Sequence, residues 1–293
     1  MKITLCGVRG SIAVPGPDTV RYGGNTTCIH VEGKDGTQLI IDGGTGIRAL
    51  GERLLAAGPL ACSIFITHTH WDHIQGLPFF VPFFLPGNQV DIYGAYDPIY
   101  GKDLKTILAQ QMEYCYFPVR ESELKAKISY NHVTERQPVK IGSLTVTPLL
   151  VNHPVYNFGY RIEEDGKVFF FTGDYEPPYN IYEPADEDYE DYQRLIVQQK
   201  KTLVDFIRGA DVVVADTQYT LAEYASRKGW GHGTYDSSIE MARMAAVKSM
   251  YFTHHDPNRT DDQLDAIFSQ LQSRQDLPAT RFAVAREGEI IEL

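Results

Sequence analysis

The chain has 293 residues, 43% of them hydrophobic, and a formal charge of −11 at pH 7. That length and apolar share are enough for a substantial core, whereas the negative balance argues against a protein that holds long nucleic acid by its phosphates, a task that needs basic surface. No run approaches the roughly 20 apolar residues that span a bilayer, and Met1-Lys2-Ile3-Thr4-Leu5-Cys6 reads as a first strand instead of a cleavable signal, so a cytoplasmic location with no membrane partner is expected.

In chain order, short runs rich in Ile, Val, Phe and Thr alternate with amphipathic stretches, the pattern of a mixed α/β protein. An Asp-Gly turn at Asp35-Gly36 between strand-like flanks predicts a hairpin over 31–39, and Asp165-Gly166 predicts a second over 162–168. Helices are predicted over 47–57, 104–113, 195–208, 239–247 and 264–271, several behind an Asp, Ser or Thr able to cap them. Strand-like runs precede Asp42, His68, His153, Asp174 and His254. Hairpins require antiparallel pairing, so two mixed sheets with helices outside fit better than one doubly wound parallel sheet. We expect one domain over 1–293 with insertions near 96–130 and 176–191. The first, rich in aromatic and basic residues, reads either as a lid or dimer surface or as local core; the second, rich in Pro, Tyr and acid, reads as a solvated loop. Cys6, Cys28, Cys62 and Cys115 are widely separated and are predicted to be free thiols.

The densest chemistry follows the apolar run Ser63-Ile64-Phe65-Ile66: within Thr67-His68-Thr69-His70-Trp71-Asp72-His73, His68, His70, Asp72 and His73 present four candidate metal ligands. Scattered histidines are ordinary turn residues, but clustering at this spacing is specific for metal. A turn at a strand end can aim His68 and His70 one way and Asp72 and His73 another, which suggests two ion positions. His153, Asp174 and His254 or His255 stand just past other strand-like runs and can reach the same rim. Asp42, in Ile40-Ile41-Asp42-Gly43-Gly44, can accept the spare ring N–H of a liganding histidine, or favour a helix N-terminus; the two roles are compatible. Imidazole and carboxylate donors suit Zn²⁺ or Mn²⁺, with Fe²⁺ also admitted.

His-x-His-x-Asp-His after a strand resembles the metallo-β-lactamase superfamily of hydrolases. The resemblance implies a four-layer αββα sandwich with two divalent ions at one edge. It implies His68, His70 and His153 on one ion, Asp72, His73 and His254 on the other, and Asp174 bridging; the Phe-Thr-His ending favours His254 over His255. It further implies that Asp42 supports a liganding histidine, and that homodimers form.

Within that superfamily, Lys228-Gly229-Trp230-Gly231-His232-Gly233-Thr234 resembles the Gly-His-Ser/Thr segment of the phosphodiesterase branch, which includes ribonuclease Z and PhnP-type enzymes, and Val8-Arg9-Gly10-Ser11 resembles its start. A histidine among glycines is otherwise an ordinary loop residue. The branch implies a dinuclear-metal phosphodiesterase acting on a small, cyclic or linear phosphodiester or nucleotide through a metal-bridging hydroxide. Asp72 would orient that nucleophile, Asp174 would bridge the ions, and His232 would stabilise a phosphoryl oxygen or protonate the departing one. No long Gly/Pro- and Lys-rich arm is evident, which lowers transfer-RNA processing. A thioester or lactone hydrolase, an RNA 3′-end processing nuclease and a metal-stabilised interaction protein are the alternatives.

Overall fold

Side chains alternate between the faces of a strand, and in this chain both faces are apolar, so each sheet must be covered twice. The computed structural model describes residues 1–293. Its first half forms β1 (Lys2–Gly7), β2 (Cys28–Glu32), β3 (Gln38–Ile41), β4 (Ala61–Phe65), β5 (Gln89–Gly94) and β6 (Lys127–His132). Then follow β7 (Val139–Ile141), β8 (Leu144–Leu150), β9 (Phe158–Glu164), β10 (Lys167–Phe171), β11 (Val212–Asp216), β12 (Ser249–Thr253), β13 (Arg281–Val284) and β14 (Ile290–Glu292). They make two seven-stranded sheets ordered β14-β1-β2-β3-β4-β5-β6 and β13-β12-β11-β10-β9-β8-β7. Both predicted hairpins are present as antiparallel pairs, β2 with β3 and β9 with β10. Beyond them the pairing turns parallel, from β3 through β6 and from β10 through β13.

Packing follows the alternation. Phe65, Leu39, Ile41, Phe169, Phe171 and Val214 point into the core between the sheets. Their neighbours Ile40 and Ile64 face the helix layer of the first sheet, and Phe170, Val213 and Ala215 that of the second. The helices are α1 (Ile47–Leu55), α2 (Trp71–Ile74), α3 (Leu104–Gln110), α4 (Tyr189–Phe206), α5 (Leu221–Tyr224), α6 (Tyr235–Ala245) and α7 (Asp261–Gln272). Capping marks several starts: Asp103, Thr234 and Thr260 each accept an amide N–H from the first turn of α3, α6 and α7. The predicted helix over 195–208 begins earlier, at Tyr189, because its first turns are polar and face solvent; apolar periodicity does not register them, and Glu190 and Asp191 there suit the positive helix end. The last residues of the first predicted insertion, 127–130, belong to sheet strand β6. All four cysteines are free, and no helix is long and apolar enough to cross a membrane.

Phe170 is fully buried between β10 and the helix layer. Phe170→Ala is expected to cost about 3–5 kcal/mol, as cavity-forming aromatic truncations do; a urea midpoint unchanged from wild type would contradict this packing.

Candidate metal centre

Parallel pairing sends the carboxyl ends of neighbouring strands to one rim, and the polar residues that end each run meet there. Asp42 follows β3, His68 follows β4, Asp174 follows β10, Asp216 ends β11 and His254 follows β12. His70, Asp72 and His73 sit at or within the first turn of α2. His153 follows β8, an antiparallel strand of the second sheet. Backbone strain concentrates here: Ser11, Asp42 and His254 have φ of 64°, 61° and 59°, in the left-handed region that non-glycine residues avoid.

The structure brings the expected residues into two groups that share Asp174. His68, His70, His153 and Asp174 offer ligand atoms within 4.8 Å of one another, as do Asp72, His73, Asp174 and His254. The Asp174 carboxylate divides between them. Its Oδ1 lies 3.1 Å from His73 Nε2 and 3.2 Å from His254 Nε2, while its Oδ2 lies 3.5 Å from His68 Nε2 and 4.0 Å from His153 Nε2. Asp72 Oδ2 is 3.0 Å from His254 Nε2 and accepts the Ser11 amide at 2.7 Å. Gly10 has to be glycine for the same approach, since a Cβ there would meet the His254 ring at 2.4 Å.

A second tier holds these side chains. Asp42 accepts from the Thr67 amide at 2.8 Å and from its hydroxyl, and lies 2.8 Å from His73 Nδ1, which turns Nε2 toward Asp174. The Gly231 carbonyl lies 2.9 Å from His153 Nδ1 and does the same for that ring. His255 points elsewhere, to the Ala285 carbonyl and the edge of Tyr22. Asp216 escaped the sequence reading although Val212-Val213-Val214-Ala215 before it carries the same signal as the run before Asp42. It lies 3.0 Å from His232 Nδ1 and 3.6 Å from His254 Nδ1, and it accepts the Tyr175 amide at 3.0 Å. His232 therefore stands beside the cluster, 3.8 Å from Asp174 Oδ2. A third grouping of potential ligands, Asp174, Asp216, His232 and His254, overlaps the second.

These residues fit divalent cations on two counts. His68 Nε2, His73 Nε2 and Asp174 Oδ1 are buried without a hydrogen-bond partner, an expensive state for polar atoms unless a ligand completes them. Asp42, Asp72, Asp174 and Asp216 are all buried against one cluster, and so many carboxylates together call for positive charge among them. Without cations, protons supply it. Burial lowers the His254 pKa, but Asp174, Asp216 and Asp72 outweigh burial and raise it to about 9. His73 is likewise depressed by burial yet held well above its ordinary value by Asp174, Asp72 and Asp42. Asp174, which burial alone would raise, is pulled well below the carboxylate range by His254, His73 and His68. The other group has the opposite character. Burial and neighbouring imidazoles push His70 down to about 4 and His68 well below normal, and burial lowers His153, so their lone pairs are free at neutral pH.

A sequence model described as a β-lactamase superfamily domain matches residues 37–255, three quarters of the chain. The chain belongs to this superfamily. Ribonuclease BN of Cronobacter sakazakii is 24% identical over 93% of this chain and 95% of its own length. Among solved structures, the metallo-β-lactamase fold protein YhfI of Bacillus subtilis superposes with a TM-score of 0.67 at 19% identity, covering 99% of both chains. A diphosphatase from the PhnP family superposes at 0.63 with 19% identity, covering 100% of this chain and 97% of that one. The four-layer metallo-β-lactamase fold expected from the motif is the one observed, and superfamily membership makes the protein a metal-dependent hydrolase.

Protons on His73 and His254 would compete with a cation held there, so raising the pH from 7 toward 9 would remove the competitor. The second equivalent of Zn²⁺ or Mn²⁺ is expected to bind more tightly over that interval with proton release, while the first binds with little pH dependence. Calorimetry in buffers of different ionisation enthalpy counts those protons, and two pH-independent sites would contradict the charge assignment. Asp42→Asn is expected to lower affinity for one ion about 10–100-fold, read by competition with a chromogenic chelator.

Proposed function

We propose that the protein is a phosphodiesterase acting on a small, cyclic or linear phosphodiester or nucleotide. Two divalent cations would be held by His68, His70 and His153 and by Asp72, His73 and His254, with Asp174 shared; Zn²⁺, Mn²⁺ or Fe²⁺ suits these donors. When bound, such cations supply Lewis acidity for a phosphoryl oxygen and lower the pKa of water.

The observation that carries the reading is the His232–Asp216 pair against Asp174. A histidine whose Nδ1–H donates to a buried carboxylate has one orientation and one free nitrogen, Nε2. The side chain keeps 12% of its surface exposed. It is placed to protonate a departing alkoxide or to stabilise charge on a non-bridging oxygen, and Asp216 fixes the orientation of its ring. Asp72, tied through Oδ2 to the Ser11 amide and to His254, orients the attacking water. A thioester needs no such acid beside a second carboxylate, because its thiolate departs readily at neutral pH.

Substrate size follows from shape and charge. A groove of about 700 Å³ opens beside His153, lined by Leu149, Tyr156, Tyr175, Arg136 and Gln198, within the range of small-molecule sites. RNA 3′-end processing is the second reading, favoured by the ribonuclease BN likeness and opposed by the charge of −11.

His232→Ala is expected to keep both ions and lose about 10²–10⁴-fold in turnover of a phosphodiester with an alkoxide leaving group, such as a 2′,3′-cyclic nucleotide. Asp216→Asn is expected to keep the ions and lose less. Undiminished turnover in His232→Ala, or turnover confined to a thioester or lactone, would reject the phosphodiesterase reading. Dimerisation belongs to the same proposal, and a monomeric mass by light scattering would remove it.

A further inference from the structure

Glu176 lies outside every candidate role assigned so far, yet its carboxylate is almost fully buried, with 2% of the residue exposed. It has no cation beside it. Instead it collects three donors: the Tyr224 hydroxyl at 2.6 Å and the Gly229 amide at 2.8 Å on Oε1, and the Gly231 amide at 2.9 Å on Oε2. Its backbone is tied as firmly, the amide to the Asn152 carbonyl at 3.0 Å and its own carbonyl to the Asn152 side chain at 2.8 Å.

Both glycines it holds have φ near +90°, at 89° and 91°. A Cβ on Gly231 would lie 2.4 Å from His153 Nδ1. The Gly-Trp-Gly-His loop thus wraps directly over the His153 ring, and its alternate amides form a small anion-binding concavity already filled by the protein's own carboxylate. Those amides are therefore not free to receive a substrate phosphate. The same Gly231 whose N–H reaches Glu176 turns its carbonyl to His153 Nδ1, and the next residue is His232.

We propose that Glu176 is a positioning residue: it fixes the 229–232 loop so that one backbone carbonyl sets the tautomer of His153 and the following side chain meets Asp216. The inference rests on the reading of His153 as a ligand and His232 as the acid. An acceptor-only group is needed, because three donors converge; glutamine of the same shape turns an NH₂ onto one of them.

The test is Glu176→Gln in the full-length protein, with Zn²⁺ affinity, amide exchange and steady-state kinetics measured separately. Expected are an affinity for one of two ions reduced about 10–100-fold, a kcat on a phosphodiester with an alkoxide leaving group reduced similarly with KM little changed, and faster exchange of the Gly229 and Gly231 amides in metal-free protein. A lower melting temperature with wild-type Zn²⁺ affinity and wild-type kcat would overturn the proposal, since a purely structural carboxylate behaves that way. If Glu176→Gln does not fold, Glu176→Asp keeps an acceptor-only group and shortens its reach, so that it cannot hold both glycine amides. It is expected to lower kcat and the affinity for that ion about 2–10-fold, and unchanged values would overturn the proposal. Wild-type protein that binds no divalent ion would instead reject the metal reading itself.

Discussion

Four carboxylates are buried at one rim of a dry two-sheet core, and the architecture around them answers the cost of that charge. Asp42, Asp72, Asp174 and Asp216 lie together, so their charge has to be offset, and six imidazoles crowd against them. In the metal-free chain the balance is kept by protons on His73 and His254, whereas His68, His70 and His153 stay neutral. One half of the centre is thus poised with open lone pairs and the other half is held shut by its own acidity. Asp174, with one oxygen toward each half, is the joint between them.

Holding that charge in place requires rigid supports, and they come from the parallel halves of the sheets. Strands β3 and β4 in one sheet and β10, β11 and β12 in the other end side by side, so five chain segments deliver a polar residue to one line. The loops between them are then drawn tight. Gly10 passes against His254, Gly231 passes against His153, and Ser11, Asp42 and His254 accept left-handed backbone to keep their aim. Arg9, fully buried, anchors the first of these loops through the Gly23 and Arg259 carbonyls, each 2.7 Å away. Strain of roughly 1–3 kcal/mol per residue persists only where surrounding contacts over-determine it, and here they do.

Activity and stability are therefore coupled unevenly. The core between the sheets is apolar and ordinary, and its residues could be exchanged for others of like volume without touching the chemistry. The rim is the costly part, and residues outside the ligand groups, such as Thr67 beneath Asp42 or Tyr175 beside Asp216, carry its geometry through backbone and hydroxyl contacts.

The fold class, both hairpins and the cluster from His68 to His73 were legible in the amino-acid sequence because they rest on local signals: alternation, Asp-Gly turns and ligand spacing within one turn. His153, Asp174 and His254 were legible as strand-end residues, and their partition into two groups came from family resemblance. Asp216 carried the same strand-end signal and went unread for want of a neighbouring motif. Tertiary structure alone decided that Asp174 divides its oxygens, that His255 turns away to Ala285, that α4 begins at Tyr189, and that Glu176 occupies the amides of the Gly-Trp-Gly loop. Those facts depend on contacts between residues tens of positions apart in the chain, or on polar surface that leaves no apolar period. Spacing along a chain specifies which side chains can meet; only packing specifies the angle and the nitrogen with which they do so.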